Sequence, residues 1–121
     1  MTKLNTFTHL EYICVVMSDK NILNTIKSTV LSILPDAKVL LFVSRARGDY
    51  NKHSDFDVMV ITKQYIPLKE KRNWRTQIRV ALINAIHAPF DILLNSEDEI
   101  AIKKNLPGHV VRSAMNEGVF I

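Results

Sequence analysis

The chain has 121 residues, of which 47% are hydrophobic and 23% are charged, a composition typical of one soluble globular domain. Its formal net charge of +4 suits a polyanionic ligand but is far below that of a nucleic-acid-binding tail. The single cysteine excludes an internal disulfide and favours a reducing, cytoplasmic environment. No apolar run approaches the ~20 residues that a membrane-spanning helix needs.

The first sixteen residues are the part of the chain with the most open interpretation. Residues 12–17, YICVVM, fit either a strand or the apolar core of a helix, and periodicity does not decide at this length. The segment lacks the basic leader and cleavage site of a signal peptide. We expect residues 1–16 to be an N-terminal extension outside the core, or an appended edge strand or dimer contact, and residues 17–121 to form a single domain.

The next residues predict a helix followed by a buried strand. From position 19 to position 34, apolar side chains recur at steps of three and four, and Pro35 ends the pattern. The run VLLFV at residues 39–43 has the composition of a strand that is buried on both faces. Ser44 follows it, where a phosphate could meet a backbone N–H and the serine hydroxyl.

A second strand, residues 55–61, carries two carboxylates at its start. Because strand side chains alternate, Asp55 and Asp57 leave on the same face with Cα atoms ~6–7 Å apart. Two carboxylates at that spacing can bind one divalent cation, or two cations that share a ligand. The stretch from residue 39 to residue 62 therefore predicts a site for nucleotide phosphates and metal.

The second half of the chain predicts a long helix, a strand and two short helices. Residues 63–88 form the helical region, with a core stripe at Trp74, Ile78, Leu82 and Ile86 and a row of arginines beside it that we expect to be solvated. The strand FDILL at 90–94 carries Asp91. A capping box at Ser96 and Glu99 begins a short helix through Lys104. Residues 109–117 predict the last helix, Gly118 stops it, and the apolar tail 119–121 should dock somewhere on the fold.

These motifs resemble those of the DNA polymerase β-like nucleotidyltransferase superfamily, in its minimal nucleotidyltransferase (MNT) branch. Members of that branch typically read GSRARGD followed by SDxD, and this chain has SRARGD at residues 44–49 and SDFD at residues 54–57. The family's third carboxylate, at the start of a later strand, is matched by Asp91. The resemblance covers roughly residues 20–121.

The resemblance implies a fold, a reaction and a set of site residues. The fold is α/β (α+β), a small, twisted, mixed sheet of three or four strands with packed helices. The reaction is transfer of a nucleoside monophosphate, AMP from ATP, with release of pyrophosphate. The catalytic carboxylates, which bind Mg²⁺ as two ions, are Asp55, Asp57 and Asp91. The residues expected to contact the nucleotide are Ser44, Arg45 and Arg47.

The resemblance also indicates a partner. The chain is too short for the separate substrate-binding domain of larger relatives, so we expect the acceptor to be a protein. Stand-alone members of this branch are commonly the antitoxin of a toxin–antitoxin pair, with a small all-helical HEPN-type toxin as partner. A homo-oligomer is left open, and only the mild basic charge favours a nucleic acid.

One position departs from the family pattern. Val43 stands where the family has a glycine immediately before the serine. Glycine allows unusual backbone dihedrals and a close approach of phosphate, whereas valine is β-branched and adds two methyl groups. The alternative interpretation is therefore a catalytically weak or inactive module of the same fold that neutralises a partner by contact.

Overall fold

A computed structural model of the chain describes residues 19–43 and 56–121. Within these ranges the chain forms four helices and one mixed sheet of four strands, which confirms the predicted α+β class. Their bounds are α1 Lys20–Ile33, β1 Lys38–Val43, β2 Phe56–Thr62, α2 Leu68–Ile86, β3 Phe90–Ser96, α3 Glu97–Lys103, α4 Val110–Glu117 and β4 Val119–Phe120.

The described strands form one mixed sheet in the order β3–β2–β1–β4. Strand β1 runs antiparallel to both of its neighbours, while β2 and β3 are parallel and α2 makes the crossover between them. The apolar tail docks as predicted, because Val119 and Phe120 pair with Leu41 and Leu40 of β1. The Ile121 N–H extends this pairing by donating to the Val39 carbonyl at 3.0 Å.

Helices α1 and α2 cover one face of the sheet. Alternate strand residues point into this layer, and so do the buried side chains of both helices, Ile26 and Val30 in α1 and Ile78 and Leu82 in α2. The predicted stripe of α2 is confirmed, with Trp74 and Ile86 partly buried at the margin of the cluster.

Helices α3 and α4 cover the opposite face. The buried cluster there consists of Leu40, Phe42, Met59, Ile61, Ile100, Val111 and Ala114. Strand β1 supplies side chains to both clusters, so the prediction of a strand buried on both faces is confirmed. Each face thus has its own helical layer, the arrangement that a small mixed sheet needs to hide its apolar side chains.

The helices have end-capping contacts, whereas two of them have different bounds from those predicted. Asp19 caps α1, since its Oδ1 accepts hydrogen bonds from the N–H groups of Asn21 and Ile22 at 2.9 and 3.3 Å. The predicted capping box of α3 is present, although this helix ends at Lys103, one residue before the predicted end. Helix α2 is shorter than residues 63–88, because it begins after Pro67 and ends where His87 adopts a left-handed conformation, φ 63° and ψ 39°.

Gly118 stops α4 for a different reason from the one expected. Its φ of −78° is ordinary for any residue, so no left-handed cap is formed. A Cβ built at this position would instead lie 2.6 Å from the Ala114 carbonyl oxygen and 2.8 Å from Cγ of Leu40. The glycine is required by the close approach of α4 to β1.

A buried ion pair joins α2 to α3 near the carboxyl ends of β2 and β3. The Lys71 ammonium donates to Oε2 of Glu99 at 2.7 Å, and the lysine side chain is only 8% exposed. Oε1 of Glu99 also accepts from the Ser96 N–H at 2.8 Å. Lys103 lies 3.9 Å from Glu99 and donates to Oδ1 of the buried Asn95 at 2.8 Å. Sequence reasoning missed Lys71 because lysine is rarely buried.

Candidate active site

Asp57 and Asp91, here called the acid pair, occupy matching positions on neighbouring strands. Each is the second residue of its strand, and the two are partners in the parallel register of β2 and β3. Partners in adjacent strands lie ~4.8 Å apart in the hydrogen-bonding direction and point to the same face. Asp57 is 6% exposed and takes part in an interaction within the fold, while Asp91 is exposed. Two of the three predicted carboxylates are thus brought together.

The surroundings of the acid pair follow from the same register. On one side, Asp57 pairs with Phe42 of β1, whose apolar side chain is 2% exposed. On the other side, Asp57 pairs with the second carboxylate, Asp91 of β3. Two like charges on adjacent strands repel each other, so a cation between them would be stabilising. Carboxylate oxygens are also the ligands that Mg²⁺ prefers. The donor set therefore fits a divalent metal.

The other predicted site residues, Ser44, Arg45, Arg47 and Asp55, lie outside the described residues. The positions that flank them, Val43 and Phe56, are paired in register at the ends of β1 and β2. Val43 and Phe56, which flank residues 44–55 (the signature segment), therefore lie at the same end of the sheet as the acid pair. Within the described ranges, no three His, Cys, Asp or Glu side chains are grouped closely enough to hold a metal ion.

A separate concave feature, here called the basal groove, lies at the opposite end of the sheet. It is a cavity of about 440 Å³ lined by residues 34–37 and 62–67 together with Glu70 and Trp74. Thr62 is five residues along β2 from Asp57, which places the groove ~17 Å from the acid pair at ~3.3 Å per residue. No local motif predicted this groove, because its walls come from segments far apart in the sequence.

Within residues 19–43 and 56–121, a search for a helix that is both long and apolar enough to cross a membrane finds none.

Comparisons with known proteins give matches to a family, to a relative and to a solved structure. The sequence model of a nucleotidyltransferase domain matches residues 23–121. A relative from Methanocaldococcus jannaschii, named a candidate protein adenylyltransferase, is 33% identical over 100 residues, which are 81% of this chain and 93% of the relative. A crystal structure of a candidate nucleotidyltransferase is 24% identical, has a TM-score of 0.43, and is matched over 68% of this chain and 86% of its own.

Proposed function

This chain belongs to the nucleotidyltransferase domain family, and on that premise we propose that it transfers AMP from ATP to a hydroxyl group of a partner protein. The family membership agrees with the resemblance to nucleotidyltransferases that the sequence predicted. The choice of AMP and of a protein acceptor is supported by the name of the M. jannaschii relative, which is similar over 81% of the chain.

The observation that supports the proposal most directly is the register of the acid pair. Asp57 and Asp91 are 34 positions apart in the sequence and become partners only because β2 and β3 pair in parallel in this register. Two adjacent carboxylates on one face repel each other unless a cation or a proton lies between them. Folds seldom retain such pairs for stability alone, since functional residues are often placed at a cost to stability.

We assign the metal site to Asp55, Asp57 and Asp91, whose carboxylates would be the protein ligands of two Mg²⁺ ions. When bound, Mg²⁺ would supply charge stabilisation for the triphosphate and for the departing pyrophosphate. We assign the phosphate contacts to the Ser44 hydroxyl and its backbone N–H, and to the guanidinium groups of Arg45 and Arg47, which make charge-assisted hydrogen bonds.

The transfer itself needs one proton acceptor and a fixed geometry. One carboxylate of the site accepts the proton of the acceptor hydroxyl, whose oxygen forms a bond to the α-phosphorus. The bond from that phosphorus to the oxygen that bridges to the β-phosphate breaks in line, and pyrophosphate leaves. The chain contributes positioning and electrostatic complementarity rather than a covalent intermediate.

For the partner, we propose a small all-helical protein of the HEPN type, with this chain as the antitoxin of the pair. The proposal is supported by the resemblance of the motifs at residues 44–49 and 54–57 to those of the MNT branch. A second candidate function is kept because Val43 replaces the family's glycine at the end of β1, next to the signature segment. In that case the chain binds its partner and neutralises it with little or no transfer.

The test is transfer of label from ATP to the protein encoded beside this chain. ATP labelled at the α-phosphate should label the partner in the presence of Mg²⁺, whereas ATP labelled at the γ-phosphate should not. We expect Asp57→Asn and Asp91→Asn each to lower transfer by at least a hundredfold. Asp98→Asn, an exposed carboxylate in the first turn of α3, should leave the rate unchanged.

Metal and nucleotide binding give a second readout that needs no partner. Mg²⁺ with a non-hydrolysable ATP analogue should raise the melting temperature of the wild-type chain, because a ligand that binds only the folded state stabilises it by mass action. Asp57→Asn combined with Asp91→Asn should abolish this rise. If the double variant binds metal and nucleotide like the wild type, the assignment of the acid pair is wrong. If wild type binds them and never labels the partner, the contact-only function is favoured.

A further inference from the structure

The basal groove is built around aromatic and aliphatic side chains that the core does not fully cover. Leu34, Ile66 and Trp74 pack against the α1–α2 cluster and also line the groove. A cavity of about 440 Å³ falls within the size range of ordinary ligand sites, which are mostly apolar with a few polar groups. The groove therefore offers an apolar floor at a place where the fold itself leaves space.

The apolar surface continues beyond the rim of the groove. Tyr65 lines it and is 63% exposed, and Leu68, in the first turn of α2, is 74% exposed. Exposed large apolar residues that adjoin a concave site are typical of surfaces that bind another protein. A compact small molecule that filled the cavity would contact Tyr65 but would leave Leu68, which does not line the cavity, uncovered. An occupant that covers both has to extend along the surface, as a polypeptide segment does.

The charges of the lining select among such segments. Two carboxylates, Asp36 and Glu70, lie in the groove with one ammonium group, Lys63. Among residues 19–43 and 56–121, neither carboxylate has an ion-pair partner. The groove is thus a net acidic site on a chain whose formal charge is +4. Such a site repels the phosphates of a nucleotide and attracts a basic side chain.

We propose that the basal groove is a docking site for a segment of a partner protein that presents apolar side chains next to lysine or arginine. The apolar side chain lies on the floor formed by Leu34, Ile66 and Trp74. The adjacent basic side chain pairs with Glu70 or Asp36 at the rim. Hydrophobic contact provides the affinity and the charge pair provides the specificity.

This docking site goes beyond the proposed transfer reaction and does not depend on it. Because the groove lies at the other end of the sheet from the acid pair, a segment bound in the groove does not cover the acid pair. The same site would serve an enzyme that holds its acceptor and a module that acts by contact alone. Binding at the groove is accordingly independent of Mg²⁺ and nucleotide.

The test uses the wild-type chain, since Trp74 is its only tryptophan and lies in the groove. Tryptophan emission is followed while the blocked peptide acetyl-Ala-Leu-Arg-Leu-Arg-Ala-amide is added. Two matched peptides carry glutamate in place of arginine or serine in place of leucine. We expect a saturable change with the first peptide, and at least fivefold weaker binding of each of the others.

Variants of the chain identify the groove as the place of binding. Glu70→Lys should lower the affinity for the arginine peptide at least fivefold and raise the affinity for the glutamate peptide. Asp98→Lys makes the same charge change in the first turn of another helix, outside the groove, and should leave both affinities unchanged. The proposal is overturned by no saturable change up to the solubility limit of the peptide, by equal binding of the charge-reversed peptide, or by equal effects of Glu70→Lys and Asp98→Lys. None of these outcomes bears on nucleotide transfer.

Discussion

The ion pair between Lys71 and Glu99 leads to an asymmetric prediction, namely that removing the acid costs more stability than removing the base. Glu99→Gln keeps the shape of the side chain, and glutamine can still complete the capping box with Ser96. The change therefore removes the negative charge and little else. Lys71→Met removes the positive charge and leaves an apolar side chain of similar length in an 8% exposed position.

The magnitudes follow from what each change leaves behind. Glu99→Gln leaves a buried ammonium whose nearest alternative is a weak contact with the Tyr65 ring, 5.9 Å from Nζ to the centroid. Breaking a buried pair in this way costs ~3–5 kcal/mol, and we expect about 2–3 kcal/mol because Glu99 is 18% exposed. Lys71→Met leaves a carboxylate that still accepts from the Ser96 N–H and has Lys103 at 3.9 Å. Its expected cost is about 1 kcal/mol or less.

Urea denaturation of the two single variants and the double variant measures this asymmetry. The double variant should be about as stable as Lys71→Met, because glutamine no longer faces a buried charge. We expect all three variants to retain the fold, so the denaturant slope of each should match that of the wild type. Equal losses for the two single variants, or a double variant whose loss is the sum of the two, would refute the asymmetric desolvation on which the prediction rests.

The pH dependence of the same pair has a defined sign. Burial raises the pKa of Glu99, but the hydrogen bonds from Lys71 and from the Ser96 N–H, with the charges of Lys71 and Lys103, together outweigh it and hold the pKa below its ordinary value of 4.5. The carboxylate therefore contributes stability above about pH 4.5 that is lost as the pH falls through the lower pKa of the folded state. The difference in free energy of unfolding between wild type and Glu99→Gln should remain constant from pH 6 to 8. It should shrink as the pH falls from about 4.5 through the pKa of Glu99 in the folded state.

Four further changes test other parts of the chain. Val43→Gly should raise transfer to the partner or nucleotide affinity and lower the free energy of unfolding by ~1 kcal/mol or less, and equal activity of both forms would show that valine is tolerated. Gly118→Ala should lower the free energy of unfolding by ~1–3 kcal/mol in a denaturation experiment, because the added Cβ meets the Ala114 oxygen. Gly108→Ala adds a Cβ in open space at φ +74°, and the backbone strain should lower the free energy of unfolding by only ~1 kcal/mol. A chain that begins at Met17 should unfold cooperatively with a nearly unchanged midpoint, whereas a large loss would place the first sixteen residues in the core.

The elements that the sequence predicted well are those with a local cause. The Ser96–Glu99 capping box and the stripe that includes Ile78 and Leu82 depend on residues three or four positions apart, and the structure contains both. The end of α2 was misplaced because His87 adopts a left-handed conformation, which non-glycine residues seldom do.

Features that depend on residues far apart in the sequence could not be predicted from local patterns. The adjacency of Asp57 and Asp91 could be expected only from the family resemblance, because strand register is set by packing of the whole sheet. Nothing in the sequence distinguished Lys71 from the other lysines of α2, and the basal groove requires three separate segments to meet. Local patterns therefore predict the elements, whereas buried ion pairs and cavities arise from the tertiary packing.

The parallel pair β2–β3 carries charged clusters of opposite character at its two ends. At the amino-terminal end, Asp57 and Asp91 are like charges in register, and Asp57 also takes part in an interaction within the fold. At the carboxyl-terminal end, Lys71 and Glu99 are opposite charges that join the helices from the two faces of the sheet. We expect neutralisation of Asp91, the exposed member of the acid pair, to remove a repulsion and to weaken the proposed metal site. Neutralising Glu99 should remove an attraction and leave that site unchanged. The sign of the stability change on carboxylate neutralisation thus distinguishes a site built for a ligand from a contact that maintains the fold.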